Sequence, residues 1–218
     1  MRIKICGLFR EEDIDFVNEA RPDYIGFVFA ESKRKITPVF AQYLRFRLAS
    51  SIIPVGVFVN ARIADITTLY QNGIISIAQL HGDEDESYIQ ALKKASGNKQ
   101  IPIIKVINKE QLTKNKEQRT KKKSGLKVLE DSWLELFQTS SADYLLIDSG
   151  AGSGKSFNWD SLKSVKFHKP WFLAGGIDIN NIEKAKAFNP FAIDVSSGAE
   201  TDGIKNREKI IQLVTSVR

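Results

Sequence analysis

The feature that most constrains this chain is a rhythm. Short apolar runs rich in Val, Ile, Phe and Tyr recur about every 25 residues, and each leads into a stretch with helical spacing of its apolar positions. The pattern predicts strands at residues 2–6, 24–29, 54–59, 76–80, 101–107, 144–148, 171–174 and 191–195. It predicts helices at 11–20, 39–49, 63–72, 85–95, 128–138, 159–165, 179–188 and 205–217. Pro22, Pro38, Pro54, Pro102, Pro170 and Pro190 punctuate the series where a helix or strand should begin. A doubly wound sheet rarely needs eight regular units in 218 residues, whereas a compact (β/α)8 barrel needs eight. The expectation is an α/β protein, one barrel domain over residues 1–218.

One segment breaks the rhythm. Residues 108–125 are polar and lysine-rich, and are expected to form an inserted loop after the fifth strand, on the mouth side of the barrel. Residues 108–127 hold eight basic and two acidic side chains, which account for the whole net charge of +6. The body of the chain is therefore neutral, and the basic segment lacks interleaved aromatics, so no nucleic-acid partner is expected. No apolar run approaches the roughly 20 residues of a spanning helix, and no membrane contact is expected. The amino terminus turns charged too soon for a signal peptide, which points to the cytoplasm. Cys6 is the only cysteine, which excludes an internal disulfide and a zinc site of several thiolates; no metal is expected.

In such a barrel, binding and catalytic groups come from the carboxyl ends of the strands. Cys6 ends the first strand, Arg34 follows the second, Asn60 the third and His81 the fourth. Asp148 ends the sixth, Gly175 and Gly176 follow the seventh, and Asp194, Ser196, Ser197 and Gly198 close the eighth. Three glycine-containing stretches, at 150–154, 174–176 and 196–198, have the character of oxyanion cradles, where backbone N–H groups can approach a phosphate closely. Their placement at successive strand ends points to a phosphorylated small molecule. The run SGAGSGKS at 149–156 also has a nucleotide-loop reading. That motif needs glycine five positions before Gly154, and Ser149 stands there.

Taken in order, these runs resemble the phosphoribosylanthranilate isomerases of tryptophan biosynthesis. The resemblance rests on KICGL at 4–8, GFVF at 26–29, SKR at 32–34, VGVFVN at 55–60 and QLHG at 79–82. It continues through LID at 146–148, GSGKSFNW at 152–159, LAGG at 173–176 and IDVSSGAE at 193–200, covering nearly all of the chain except the basic insertion. It implies a single-domain TIM barrel of the ribulose-phosphate-binding type, acting as a monomer or homodimer. The implied reaction is a cofactor-free Amadori rearrangement of N-(5-phosphoribosyl)anthranilate to 1-(2-carboxyphenylamino)-1-deoxyribulose 5-phosphate.

By the same resemblance, Asp148 is the general acid at the furanose oxygen and Cys6 the general base at the sugar C2. Arg34 would hold the anthranilate carboxylate through two oxygens, and His81 would lie near the aromatic ring. Asp194 would touch the ribose or the bridging amine. Gly152, Ser153, Gly154, Gly175, Gly176, Ser196 and Ser197 would hold the phosphate. The chemistry asks for an acid that keeps its proton, which burial favours, and for a thiolate base. Strand alternation puts Lys4 on the same face as Cys6, a source of thiolate stabilisation. Three departures stand out. Ala151 interrupts the sixth-strand loop, Phe9 and Arg10 could reshape the rim beside Cys6, and Asn206 is expected to affect only capping of the last helix.

Other readings stay open from sequence alone. Cys6 could be a small core residue, Asp148 a turn cap, Arg34 part of a solvated patch with Lys33 and Lys35, and His81 a partner for backbone groups. His168 falls at the opposite end of the seventh strand and is expected to be structural. Trp133, Trp159 and Trp171 are expected to pack. Two other functions compete: the histidine-pathway isomerase, whose pattern has aspartate where Cys6 stands, and a phosphate-binding barrel without catalysis. A cysteine hydrolase is not expected, because no recognisable motif sets a histidine beside Cys6.

Overall fold

The structure, a computed structural model, describes residues 1–108, 139–148, 159–162 and 166–218. Eight parallel strands close a barrel in chain order: β1 (Arg2–Cys6), β2 (Tyr24–Val28), β3 (Ile53–Phe58), β4 (Ile77–Leu80), β5 (Ile103–Asn108), β6 (Tyr144–Asp148), β7 (Trp171–Ala174) and β8 (Ala192–Val195). Closure comes from β8 pairing back onto β1, with Lys4 in register with Asp194. Helices α1 (Glu11–Ala20), α2 (Pro38–Arg47), α3 (Ile63–Gln71) and α4 (Glu86–Ala95) follow the first four strands. Helices α5 (Ile182–Lys186) and α6 (Arg207–Val217) follow the last two. A 3-10 turn at Trp159–Leu162 follows β6, and a short hairpin of β9 (Glu200–Thr201) and β10 (Ile204–Lys205) precedes α6.

The barrel expectation is met, with local differences. Helix α5 is shorter than the expected 179–188, because Asn181 turns its side chain to local backbone: Oδ1 accepts from the Asp178 N–H at 3.0 Å and Nδ2 donates to the Gly176 carbonyl at 2.8 Å. Asparagine used this way competes with a helical turn. The basic insertion beyond Asn108, the expected helix at 128–138 and the loop carrying Ala151, Gly152, Ser153 and Gly154 lie outside the described residues, as do Trp133 and residues 163–165.

Helix starts follow from their caps. Thr37 accepts from the Phe40 N–H at 3.2 Å ahead of Pro38 at the first helical position, and Asp85 accepts from Tyr88 N–H at 2.8 Å. Asn206 does cap α6, accepting from Lys209 N–H at 3.0 Å.

Strand alternation sorts the core into two bodies. Outward-facing residues such as Ile3, Ile25, Ala78, Ile103, Leu145, Leu173 and Ile193 pack under the helices. Inward-facing Tyr24, Val55, Ile77, Ile104, Val106, Leu146, Phe172, Ala174 and Ala192 fill the barrel. At its amino-terminal end the filling is aromatic: Phe172 lies 5.5 Å from Tyr24, 5.8 Å from Tyr144 and 5.7 Å from Phe191, ring centre to ring centre. The guanidinium of Arg2 covers Phe191 at 4.4 Å. This plug closes one end and leaves the other to hold the site. Trp159 and Trp171 are buried, as packing residues should be, and His168 is exposed ahead of β7. Among the described residues, no helix is long and apolar enough to cross a membrane.

Candidate active site

Above the plug, the same inward parity continues with polar residues: Lys4 and Cys6 on β1, Gln79 on β4, Asp148 on β6 and Asp194 on β8. A cavity of about 550 Å³ opens there. It is lined by Cys6, Arg34, His81, Asp148, Gly175, Gly176, Asp194, Ser196 and Ser197, so every described residue to which the resemblance gives a role meets in one place. Asn60 is not in its wall. Its N–H donates to Glu84 at 2.7 Å and its Oδ1 accepts from Asp83 N–H at 2.9 Å, binding two loops to each other. Phe9 and Arg10 do not line the cavity either. Arg10 turns to Asp13, at 2.6 Å, and to the Lys205 carbonyl.

Cys6 is 8% exposed and owes its room to Gly26, its register partner on β2. A Cβ at Gly26 would stand 2.6 Å from the Cys6 sulfur, so this close approach requires glycine. Lys4 is fully buried beneath the thiol and donates to both oxygens of Asp194 at 3.0 Å. Burial pushes Lys4 down, but Asp194 and Cys6 together outweigh it and hold the ammonium above its ordinary value. For Cys6 the balance goes the other way. Burial pushes the thiol up, Lys4 pulls it down, and burial wins. Lys4 thus favours the thiolate, as strand alternation suggests, while desolvation exceeds its effect.

Asp194 spends both oxygens on Lys4, and burial raises it against the pull of that partner. Its primary contact is thus internal, although it also faces the cavity. Asp148 stands across the mouth with 25% of its side chain exposed, 3.6 Å from the His81 Nε2. Burial lowers His81 despite the nearby Asp148 and so favours the uncharged imidazole.

Arg34 reaches over the rim to Glu200, 166 residues away in sequence, donating from Nε and Nη2 at 2.7 Å each. Lys205 donates to the same carboxylate and to the Ser196 carbonyl. The hydrogen bonds it donates to Glu200 hold Arg34 above its ordinary value, and the two cations hold Glu200 low despite its burial. One edge of the guanidinium is therefore already taken. The edge formed by Nη1 and Nη2 is the one left for a ligand carboxylate.

Gly175 and Gly176, with φ of +99° and +66°, turn their backbone in the left-handed region at the cavity wall. Ser196 donates to the Cys6 carbonyl at 3.3 Å, and Ser197 opens a short 3-10 turn beside it. Among the described residues, no three His, Cys, Asp or Glu side chains are grouped as a metal ion would require. Sequence reasoning missed Gln79, Glu200 with Lys205, and the buried pair Lys105–Glu84, whose 3.0 Å contact fastens the loop after β4 that carries His81. A glutamine at inward parity in an apolar strand was the one available signal.

With this geometry in hand, the chain can be compared with known proteins. Residues 3–216 match the family model for N-(5'-phosphoribosyl)anthranilate (PRA) isomerase. The N-(5'-phosphoribosyl)anthranilate isomerase of Endomicrobium trichonymphae is 45% identical, with 100% of this chain and 98% of the relative covered. The crystal structure of phosphoribosyl anthranilate isomerase from Thermus thermophilus superposes with a TM-score of 0.78 at 28% identity, covering 100% of both chains. Two further solved isomerases are each 27% identical, covering 99% of this chain and 97% of theirs. One, with a TM-score of 0.75, is in complex with reduced 1-(O-carboxyphenylamino)-1-deoxyribulose 5-phosphate. The other, with a TM-score of 0.76, shows monomers generated from the dimeric enzyme of Thermotoga maritima.

Proposed function

From the premise that the chain belongs to the N-(5'-phosphoribosyl)anthranilate isomerase family, and so is an enzyme of tryptophan biosynthesis, we propose that Cys6 and Asp148 divide its proton transfers. Asp148 gives a proton to the furanose oxygen. The C1–O bond breaks as the nitrogen lone pair forms a C1=N bond, leaving a protonated imine. Cys6 as thiolate then removes the C2 proton, and the electron pair moves through C1 to nitrogen to give an enolamine. Loss of the C2 hydroxyl proton and protonation of C1 yield the aminoketone. C1 is reduced and C2 oxidised within one molecule, so the step balances without an external oxidant or reductant.

One observation carries this reading: Cys6 on β1 and Asp148 on β6, which are not neighbouring strands, face one cavity of about 550 Å³. Arg34 supplies its Nη1 and Nη2 edge to the anthranilate carboxylate, and His81 lies near the aromatic ring. Asp194 acts through Lys4, beneath the ribose and bridging amine. The loops with Gly175, Gly176, Ser196 and Ser197 receive the phosphate together with Gly152, Ser153 and Gly154. The reading keeps the cytoplasm as the place of action and a monomer or homodimer as the assembly, the dimeric Thermotoga maritima enzyme being a precedent.

The test is a coupled fluorescence assay in which substrate is made in place from anthranilate and phosphoribosyl pyrophosphate. Cys6→Ala and Asp148→Asn should each lose about 10²- to 10⁴-fold in turnover while staying folded. Near wild-type activity in either variant removes the role given to that residue.

A further inference from the structure

Gln79 is a buried polar side chain whose amide oxygen is left without a partner among the described residues. On β4 it lies at the same inward parity as Ile77, one layer nearer the mouth, and it lines the cavity. It is 2% exposed, and its Oε1 has no hydrogen-bond partner among the described residues. The neighbouring strands offer it none, since its register partners are Val57 on β3 and Ile104 on β5. The nearby buried charges, by contrast, are all paired: Lys4 with Asp194, Lys105 with Glu84, and Glu200 with Arg34 and Lys205. A buried carbonyl oxygen left without a donor destabilises a fold, and one kept in a cavity wall asks for a ligand donor.

Resting on the isomerase reading above, we propose that Gln79 is a ligand-contacting residue of this reaction, its Oε1 accepting a hydrogen bond from the bridging nitrogen of the substrate. The phosphate and the carboxylate offer no donor to it, whereas the sugar hydroxyls and the bridging nitrogen do. Of these donors the nitrogen is the one bonded to C1, the atom that must sit between Asp148 and Cys6. Ring opening turns that N–H into part of a cationic imine, so the bond strengthens as the reaction proceeds. An amide oxygen suits this position better than a carboxylate. It is too weak a base to take the proton, so the imine keeps the charge that makes the C2 hydrogen acidic.

The test compares wild type with Gln79→Met, which keeps the length and removes the acceptor, in steady-state turnover and in thermal unfolding. The expected result is a kcat lowered about 10- to 100-fold, KM within about threefold, and Tm unchanged or higher. A kcat within twofold of wild type overturns the proposal, as does a rise in KM alone. A joint loss of kcat and Tm overturns it too, because that is the pattern of a structural residue. If Gln79→Met does not fold, Gln79→Asn withdraws the oxygen by one methylene; a kcat down by about tenfold or more at unchanged Tm supports the contact, and wild-type kcat ends it. The parent reading has its own control. Wild-type turnover that vanishes in Cys6→Ala sustains it whatever Gln79→Met does, and an inactive wild type overturns both.

Discussion

At the amino-terminal end of the barrel, Tyr24, Tyr144, Phe172 and Phe191 pack ring against ring. Nearer the mouth of the same barrel, the interior holds Lys4, Cys6, Gln79, Asp148 and Asp194. The two ends share strands, twist and spacing and differ in what they ask of their neighbours. The aromatic end needs only shape and is satisfied by its own contacts. The mouth holds a thiol, an imidazole, ion pairs and an amide oxygen without a partner among the described residues, all partly or wholly removed from water. Stability comes from the first end, and the second gives some of it up to chemistry.

The largest test of that division is at the plug. Phe172→Ala should destabilise the fold by about 3–5 kcal/mol, read as the urea midpoint, while KM for the folded fraction stays near wild type. A small stability change would mean the plug is not the main support of the barrel interior.

Next comes Gly26→Ala, which puts a methyl where the Cys6 sulfur needs space. Overpacking of this kind costs about 1–3 kcal/mol, and turnover should fall by more than stability implies because the thiol must move. Full activity would show that the position of Cys6 is loosely specified.

The smallest effect is on pH. Since burial raises the Cys6 thiol above its ordinary value of about 8.5, alkylation of the ligand-free protein should have its midpoint above that pH. The protonated thiol contributes its stability fully below about 8.5 and loses it as pH rises through the folded value. Lys4→Met removes the downward pull and should move the alkylation midpoint higher still; an unchanged midpoint would take Lys4 out of the account.

Much of this was legible from spacing. The β/α rhythm located all eight strands, and period-two alternation put Lys4 and Cys6 on one face, because both are properties of neighbouring residues. The ends of elements were less legible. Helix α5 lost its expected first turn to the side chain of Asn181, a choice between local hydrogen bonds of similar strength. Arg34 could be named from its motif, but not the Glu200 that takes one of its edges, since 166 residues separate them and only barrel closure brings the loops after β2 and β8 together. Gln79 was visible as a letter in a motif. Its missing partner depended on having Val57 and Ile104 beside it.

The sequence by itself therefore determined how many units the barrel has and which residues arrive at its mouth. Tertiary structure decided the state in which they arrive: a thiol that burial pushes up against the pull of Lys4, an aspartate committed to a lysine, and an arginine with one edge taken by Glu200. Desolvation and pairing are set by what surrounds a group on every side, and those surroundings exist only once all eight strands have closed.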